Sequence, residues 1–579
     1  MSKQTLNGGD LVVKCLLKEE ITKIFGIVGG ELLKIYDAIE RYGREAGIDT
    51  VMVRHEQGAG HAADAWARAT GKLGVCMGTA GPGVTHLVPA IAAANADSIP
   101  MLVIGAQIAR MFDDTGILQG GLDQMKLMEP ITKLQVSVEH PYEIPHAIQR
   151  CIKTALSGRR GPVFLELRET ALVREASDED IKKIIDPSKY RPIQRPAGNI
   201  DLIKDAVNLL SHSKKPIIVS GGGVLASEAS KDIQKLSKVY IIPAATSING
   251  LGTIGSDKIT FLGSNLTATA FRTAATEADL ILSFGCKWDY TLLYGSPPIW
   301  NHQSQKLIQV DIDPSEIGKN RPVEIGIVAD AKAVIKQLMV EMENSLPKEK
   351  ITEWSEWNNY LQELNTNDKK GIDKIFKSKK MPMKPQRLVL EVLDFISEDT
   401  QIILDGGDIV AFALGYINYK PRPPRSTFWS LSMGHLGTGI PYTLGVKMAK
   451  PDKPVICISG DGSFMFNIQE LETLVRLNLP VVIVIANNCA WGMIKSVQKG
   501  VFEKRYCDVD FPLTNYAEIA KGFGCYTEKV EKPDEIKPAL QRAFDSKKPS
   551  VIDVDIAFET PPSMNLVRLY KLSKGLLGK

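Results

Sequence analysis

Short apolar runs rich in β-branched residues, many of them bounded by glycine, recur along this chain and alternate with segments whose apolar positions return every three or four residues. "LGVCMGTA", "MLVIGA", "GPVFLEL", "KPIIVSGGG", "LILSFG", "KLIQVDIDP", "QIILDGG", "PVICISGDG", "PVVIVIANN" and "SVIDVDI" are runs of this kind. Near-continuous apolar strands followed by amphipathic helices predict parallel sheets covered on both faces. The class is α/β, built from doubly wound parallel sheets.

Two breaks interrupt the pattern. "DPSKYRPIQRPAGN", Asp186 to Asn199, is rich in proline and charge, and the stretch from Ser345 to Pro385 is polar. They divide the chain into an N-terminal domain (1–185), a central domain (186–345), a linker (346–385) and a C-terminal domain (386–579). Glycine-rich turns in the first and last of these suggest two domains of similar design.

Composition narrows the function. With 70 basic against 67 acidic side chains the net charge is +3, so no global field favours nucleic acid or a membrane surface. The first residues lack a signal-peptide core and no apolar run reaches the roughly 20 residues of a membrane span, so a soluble, cytoplasmic protein is expected. The eight cysteines form no CxxC pair and read as reduced core thiols.

The informative stretch is "SGDGSFMFNIQELETLVRLNLPVVIVIANN", Ser459 to Asn488. A strand ending in Gly-Asp-Gly puts Asp461 at the carboxyl edge of a parallel sheet, where open α/β folds bind ligands. The next strand ends at Asn487-Asn488. A carboxylate and an amide carbonyl are hard oxygen donors suited to Mg²⁺, and Gly460 and Gly462 let backbone amides approach phosphate. Taken alone, Gly-Asp-Gly reads as a turn and Asn-Asn as a helix cap.

Together the two motifs resemble the signature of thiamin diphosphate (thiamine pyrophosphate) enzymes. "FGIVGGELLKIYDAI", "VRHEQGAGHAADAWARATG", "LIQVDIDPSEIGKN" and "GHLGTGIPYTLG" extend the resemblance to the acetolactate synthase-like family over nearly the whole chain. The resemblance implies pyrimidine-binding, central nucleotide-fold and diphosphate-binding domains, with active sites shared across a homodimer or homotetramer. It implies Mg²⁺ held by Asp461, Asn488 and the Ala490 carbonyl, with Ser463 beside the diphosphate. Glu56 matches the glutamate that hydrogen-bonds the aminopyrimidine ring; by residue type alone it is equally a helix cap. Leu436 matches the apolar side chain beneath the bent cofactor, with Gly29, Gly434, Gly437 and Thr438 as neighbours.

Gln119 and His86 are substrate-facing candidates, His86 being either a pocket donor or a cap. Arg159, Gly222, Asp311 and Asp330 match positions that hold ADP or FAD in relatives, though many relatives bind no nucleotide there. Acetolactate synthases carry Phe-Asp-Asp-Arg where this chain has "GCKWDYTLLYG", with Lys287 and Trp288, and their specificity tryptophan falls on Val497. Lysine does not reproduce a bidentate arginine. The basic tail containing Arg568, Lys571, Lys574 and Lys579 reads either as a solvated tail or as a segment that meets CoA phosphates; with the second reading, this difference favours a 2-hydroxyacyl-CoA lyase, releasing an aldehyde or ketone plus formyl-CoA. The alternatives are an acetolactate synthase-type 2-keto acid carboligase and a non-catalytic cofactor-binding homologue. Intact Glu56, Asp461 and Asn488 weigh against the last.

Overall fold

The computed structural model describes residues 6–191, 194–255, 259–417, 420, 422–564, 571 and 575. Three six-stranded sheets, all parallel, account for the expected α/β class. The first contains β1 (Lys23–Gly26), β2 (Asp49–Met52), β3 (Gly74–Gly78), β4 (Met101–Gln107), β5 (Gln135–Val138) and β6 (Pro162–Arg168), in the order β2-β1-β3-β4-β6-β5. The second contains β7 (Pro216–Ser220), β8 (Ala244–Thr246), β9 (Phe261–Gly263), β10 (Leu280–Phe284), β11 (Lys306–Asp311) and β12 (Ile325–Val328), in the order β12-β11-β10-β7-β8-β9. The third contains β13 (Gln401–Asp405), β14 (Thr427–Phe428), β15 (Val455–Gly460), β16 (Val482–Asn487), β17 (Tyr526–Val530) and β18 (Ser550–Asp555), in the order β14-β13-β15-β16-β18-β17.

The first and third sheets share one winding. Each therefore has its switch point in the same place, between β1 and β3 and between β13 and β15, where a crevice opens at the carboxyl edge. The central sheet follows the dinucleotide-fold order, with its switch between β7 and β10.

The N- and C-terminal domains share a core. Helix Glu56–Thr70, capped by His55 and ended by Gly71 in a left-handed conformation, lies against helix Gly439–Ala449. The contact is close because Gly445 has no Cβ: one built there would stand 2.1 Å from the Ala62 carbonyl oxygen. Ala59, Ala62 and Trp66 of one domain and Ile440, Leu444 and Phe464 of the other belong to a single buried cluster.

The stretch read as a linker, 346–385, is largely helical. Its helix Glu349–Phe376 buries Trp354, Trp357 and Leu361 in the two hydrophobic clusters of the central domain. Apolar residues spaced along an otherwise polar helix escape a composition count but suffice to dock one face. No described helix is long and apolar enough to cross a membrane. All eight cysteines are free; Cys507 is exposed, Cys489 partly so, and the other six are buried.

Candidate active site

Asp461 begins the short helix that follows β15, and Asn488 follows β16, so the two stand on one sheet edge. Asp461 is 2% exposed. Its Oδ1 accepts from the Gly462 amide at 3.0 Å, while Oδ2 is buried with no hydrogen-bond partner. Burial raises its pKa to about 7, and nearby Asp408 adds to the rise. Asn488 donates from Nδ2 to Asp408 at 2.9 Å, and its Oδ1 accepts from the Ala490 amide at 3.1 Å. The Ala490 carbonyl accepts from the Gly492 amide at 2.8 Å and keeps a second lone pair. An unpartnered carboxylate oxygen beside two carbonyl oxygens is a donor set that fits a hard divalent cation. Gly492 is required here, since an added Cβ would stand 1.9 Å from Asp408 Oδ2.

Asp408, on the turn after β13, was not singled out in the sequence; "LDGGD" at a strand end was the available signal. Its own pKa is raised by burial. The neighbouring Asp405 accepts from the Gly437 amide at 3.1 Å and takes further backbone hydrogen bonds from Thr438 and Gly439. It thereby anchors the segment that carries Leu436, whose side chain is partly buried. Gly437 has φ +79° and an added Cβ would meet Phe466 at 2.3 Å, so glycine is obligatory. Gly434 is exposed, with open space around it. Thr438 and Ser463 are buried, and an added Cβ at Gly462 would strike the Trp491 ring at 2.5 Å.

On the other sheet, Glu56 opens the helix after β2, and His86 lies on helix Pro82–Asp97 after β3. His86 Nδ1 is 2.9 Å from Glu56 Oε2, and its ring stacks on His55 at a centroid distance of 4.3 Å. Neither the pocket-donor nor the helix-cap reading of His86 included this pairing with Glu56. Glu470 of the C-terminal domain accepts from the amides of Arg54 and His55, both at 3.1 Å, which pins the turn that presents Glu56. Gly29, beyond β1, stands against Thr79, which donates to Glu31. Gln119 has φ +63° in a loop whose residues 110–118 are exposed. Among the described residues, no hydrogen bond or ion pair joins Glu56 or His86 to Asp461 or Asn488.

Arg159, Gly222, Asp311 and Asp330 come together in a third place, lining a cavity of about 550 Å³ at the switch point of the central sheet. That volume suits a small organic ligand. Arg159 pairs with Glu316 at 3.1 Å, and burial raises the pKa of Asp311 to about 6. Asp330 also caps helix Ala331–Ser345 and pairs with Arg195, so the helix-cap role applies as well. Lys287 donates to the Ala96 carbonyl at 2.7 Å, Trp288 is buried, and Val497 lies on helix Gly492–Val501. Of the tail cations, Lys571 is exposed; Arg568, Lys574 and Lys579 lie outside the described residues.

Comparison with known proteins agrees with the three-domain fold. The thiamine pyrophosphate enzyme family matches in three parts: an N-terminal TPP binding domain over 6–127, a central domain over 203–338 and a C-terminal TPP binding domain over 405–554. The chain belongs to the thiamine pyrophosphate-dependent enzymes. It is similar to a "Probable acetolactate synthase large subunit" of Methanococcus aeolicus, 34% identical over 571 residues that cover 95% of this chain and 92% of that protein. The protein of the same name from Methanocaldococcus jannaschii is 34% identical over 569 residues, covering 95% and 92%. The "Acetolactate synthase large subunit" of Haemophilus influenzae is 33% identical over 559 residues, covering 95% and 94%.

Proposed function

We propose that this protein is a Mg²⁺- and thiamin diphosphate-dependent carboligase that acts on 2-keto acids in the manner of acetolactate synthase. The observation that carries the proposal is similarity to acetolactate synthase large subunits along almost the full length of both chains. It favours this reading over the 2-hydroxyacyl-CoA lyase, which rested on a few pocket positions and on a tail lying mostly outside the described residues.

Asp461 Oδ2, the Asn488 side-chain carbonyl and the Ala490 carbonyl would hold Mg²⁺ and through it the diphosphate. Gly460, Gly462 and Ser463 would line the diphosphate, while Gly434, Leu436, Gly437 and Thr438 would bear on the cofactor rings. When bound, thiamin diphosphate supplies an electron sink for the carbon bond being made or broken. Glu56 would hydrogen-bond the aminopyrimidine and hold the proton that moves there. His86, whose Nδ1 is 2.9 Å from Oε2, would exchange that proton with solvent. The Gln119 amide would orient the substrate carboxylate.

We infer a site closed by a second copy from the apolar surface around the candidate residues. Exposed apolar side chains lie near both halves: Met111 and Leu118 near one, Met433, Phe466 and Ile494 near the other. A homodimer or homotetramer would cover them. The central cavity is proposed to take a nucleotide, ADP or FAD, which Arg159, Gly222, Asp311 and Asp330 would line.

The test is turnover by purified protein loaded with thiamin diphosphate and Mg²⁺, comparing pyruvate with a short 2-hydroxyacyl-CoA by mass spectrometry. Acetolactate from pyruvate is expected. Cleavage of the thioester without acetolactate would overturn the proposal in favour of the lyase.

A further inference from the structure

Helix Pro82–Asp97 ends on a carboxylate that all three domains share. The Asp97 side chain is 1% exposed. Its Oδ2 accepts from Arg68 Nη2 at 2.9 Å and from the Leu431 amide at 3.3 Å. Its Oδ1 accepts from the Ser432 amide at 3.2 Å, from the Ser432 hydroxyl, and from Asn249 Nδ2 at 3.4 Å. Arg68 belongs to the N-terminal domain, Asn249 to the central domain, and Leu431 and Ser432 to the C-terminal domain. Burial alone would push the Asp97 pKa up, yet Arg68, the Ser432 hydroxyl and Lys287 hold it below the usual carboxylate value. The group is a buried anion satisfied on both oxygens, the condition under which such a charge is kept rather than neutralised.

What this anion grips is the entrance to the 431–438 segment. Asp405 gathers the amides at the exit of that segment, within the C-terminal domain. At the entrance the holding groups come from other domains: Asp97, and Tyr290, whose hydroxyl donates to the Leu431 carbonyl at 3.3 Å. Between the two anchors Met433 and Gly434 are exposed and Gly434 has φ +61°, so the middle of the segment has little packing of its own to hold it. Asp97, Arg68, Asn249 and Lys287 also line the central cavity, so the carboxylate that holds Leu431 and Ser432 borders that cavity as well.

We propose that Asp97 is a positioning residue, a latch from the N-terminal domain that fixes where the segment bearing Leu436 stands against the cofactor. It acts through Ser432 and touches neither cofactor nor substrate. The proposal rests on the reading of Leu436 as the side chain beneath the cofactor, and the experiment separates the two.

The full-length protein and its Asp97→Asn, Ser432→Ala, Ser432→Thr and Asp97→Asn/Ser432→Ala variants are compared by two measurements. One is amide hydrogen exchange across 431–438 without cofactor. The other is thiamin diphosphate affinity with saturating Mg²⁺, read from intrinsic tryptophan fluorescence. The expected result is faster exchange and affinity about tenfold weaker in Asp97→Asn and Ser432→Ala, the size of one lost hydrogen bond to a charged group. The double variant should lose no more than Asp97→Asn alone, and Ser432→Thr, which keeps the hydroxyl, should behave as wild type. Unchanged exchange in Ser432→Ala, or additive losses in the double variant, would overturn the latch. Faster exchange with unaltered cofactor affinity would overturn its link to Leu436. If Asp97→Asn does not fold, because Arg68 has lost a partner, the Ser432→Ala and Ser432→Thr pair decides the question alone.

Discussion

Replacing Asp461 by asparagine is expected to stabilise the cofactor-free protein above neutral pH while removing its response to Mg²⁺ and thiamin diphosphate. Burial, with a contribution from Asp408, raises the Asp461 pKa from 3.8 to about 7. Between those values the folded chain binds more protons than the unfolded one, so this group makes stability fall as pH rises through the window. Above pH 7 the cost is complete. A rise of about three units at about 1.36 kcal/mol per unit corresponds to about 4 kcal/mol. Asparagine keeps the carbonyl that accepts from Gly462 and carries no charge. Its Nδ2 would replace an oxygen that already lacks a partner, at a cost of about 1–3 kcal/mol. The balance at pH 8 is a gain of about 1–3 kcal/mol, or a few degrees in the melting transition of a domain this size. At pH 5, where Asp461 is protonated, the gain should vanish. Scanning calorimetry in EDTA at the two pH values measures the difference, and repeating it with Mg²⁺ and thiamin diphosphate should raise the transition of the wild type alone. A variant destabilised equally at both pH values would refute the argument from burial, and one that keeps the ligand response would refute the metal assignment.

Glu56→Gln should bind thiamin diphosphate with near-normal affinity and lose about 10²–10⁴-fold in turnover, the range for a positioned acid or base; unchanged turnover would remove Glu56 from the proton path. Gly445→Ala should loosen the joint between the N- and C-terminal domains, because the new methyl would stand 2.1 Å from the Ala62 carbonyl oxygen. A loss of about 1–3 kcal/mol is expected from such overpacking, seen as a lower denaturant midpoint, and a midpoint equal to wild type would mean that the two helices slide apart freely.

How much of the site was legible in the sequence depended on how local each residue's task is. Asp461 and Asn488 could be singled out as candidates because strand-end turns repeat a recognisable steric demand, glycine next to a polar side chain at the carboxyl edge of an apolar run. Glu56 was visible only through resemblance, since its sequence surroundings also describe a helix cap, and the structure shows it at the first position of its helix. Asp408 stood in an equally plain glycine turn and was passed over, because its value lies in facing Asp461 and Asn488 from a different strand. Glu470 lay inside the most closely read stretch, yet its partners are the amides of Arg54 and His55, more than 400 positions away. The helix Glu349–Phe376 was hidden by its polar composition, which dominates a count even when Trp354, Trp357 and Leu361 dock it.

The sequence by itself determined the parallel α/β class and its division around three sheets, because apolar period and glycine placement act within about ten residues and survive without knowledge of the fold; the family was legible through the resemblance of its ordered motifs. Only the tertiary structure decided that His86 meets Glu56, that the first and third sheets share one winding, and that Asp97 joins three domains. Those facts come from packing, in which a buried charge must find its partners wherever the chain brings them, and no spacing along the sequence encodes that distance.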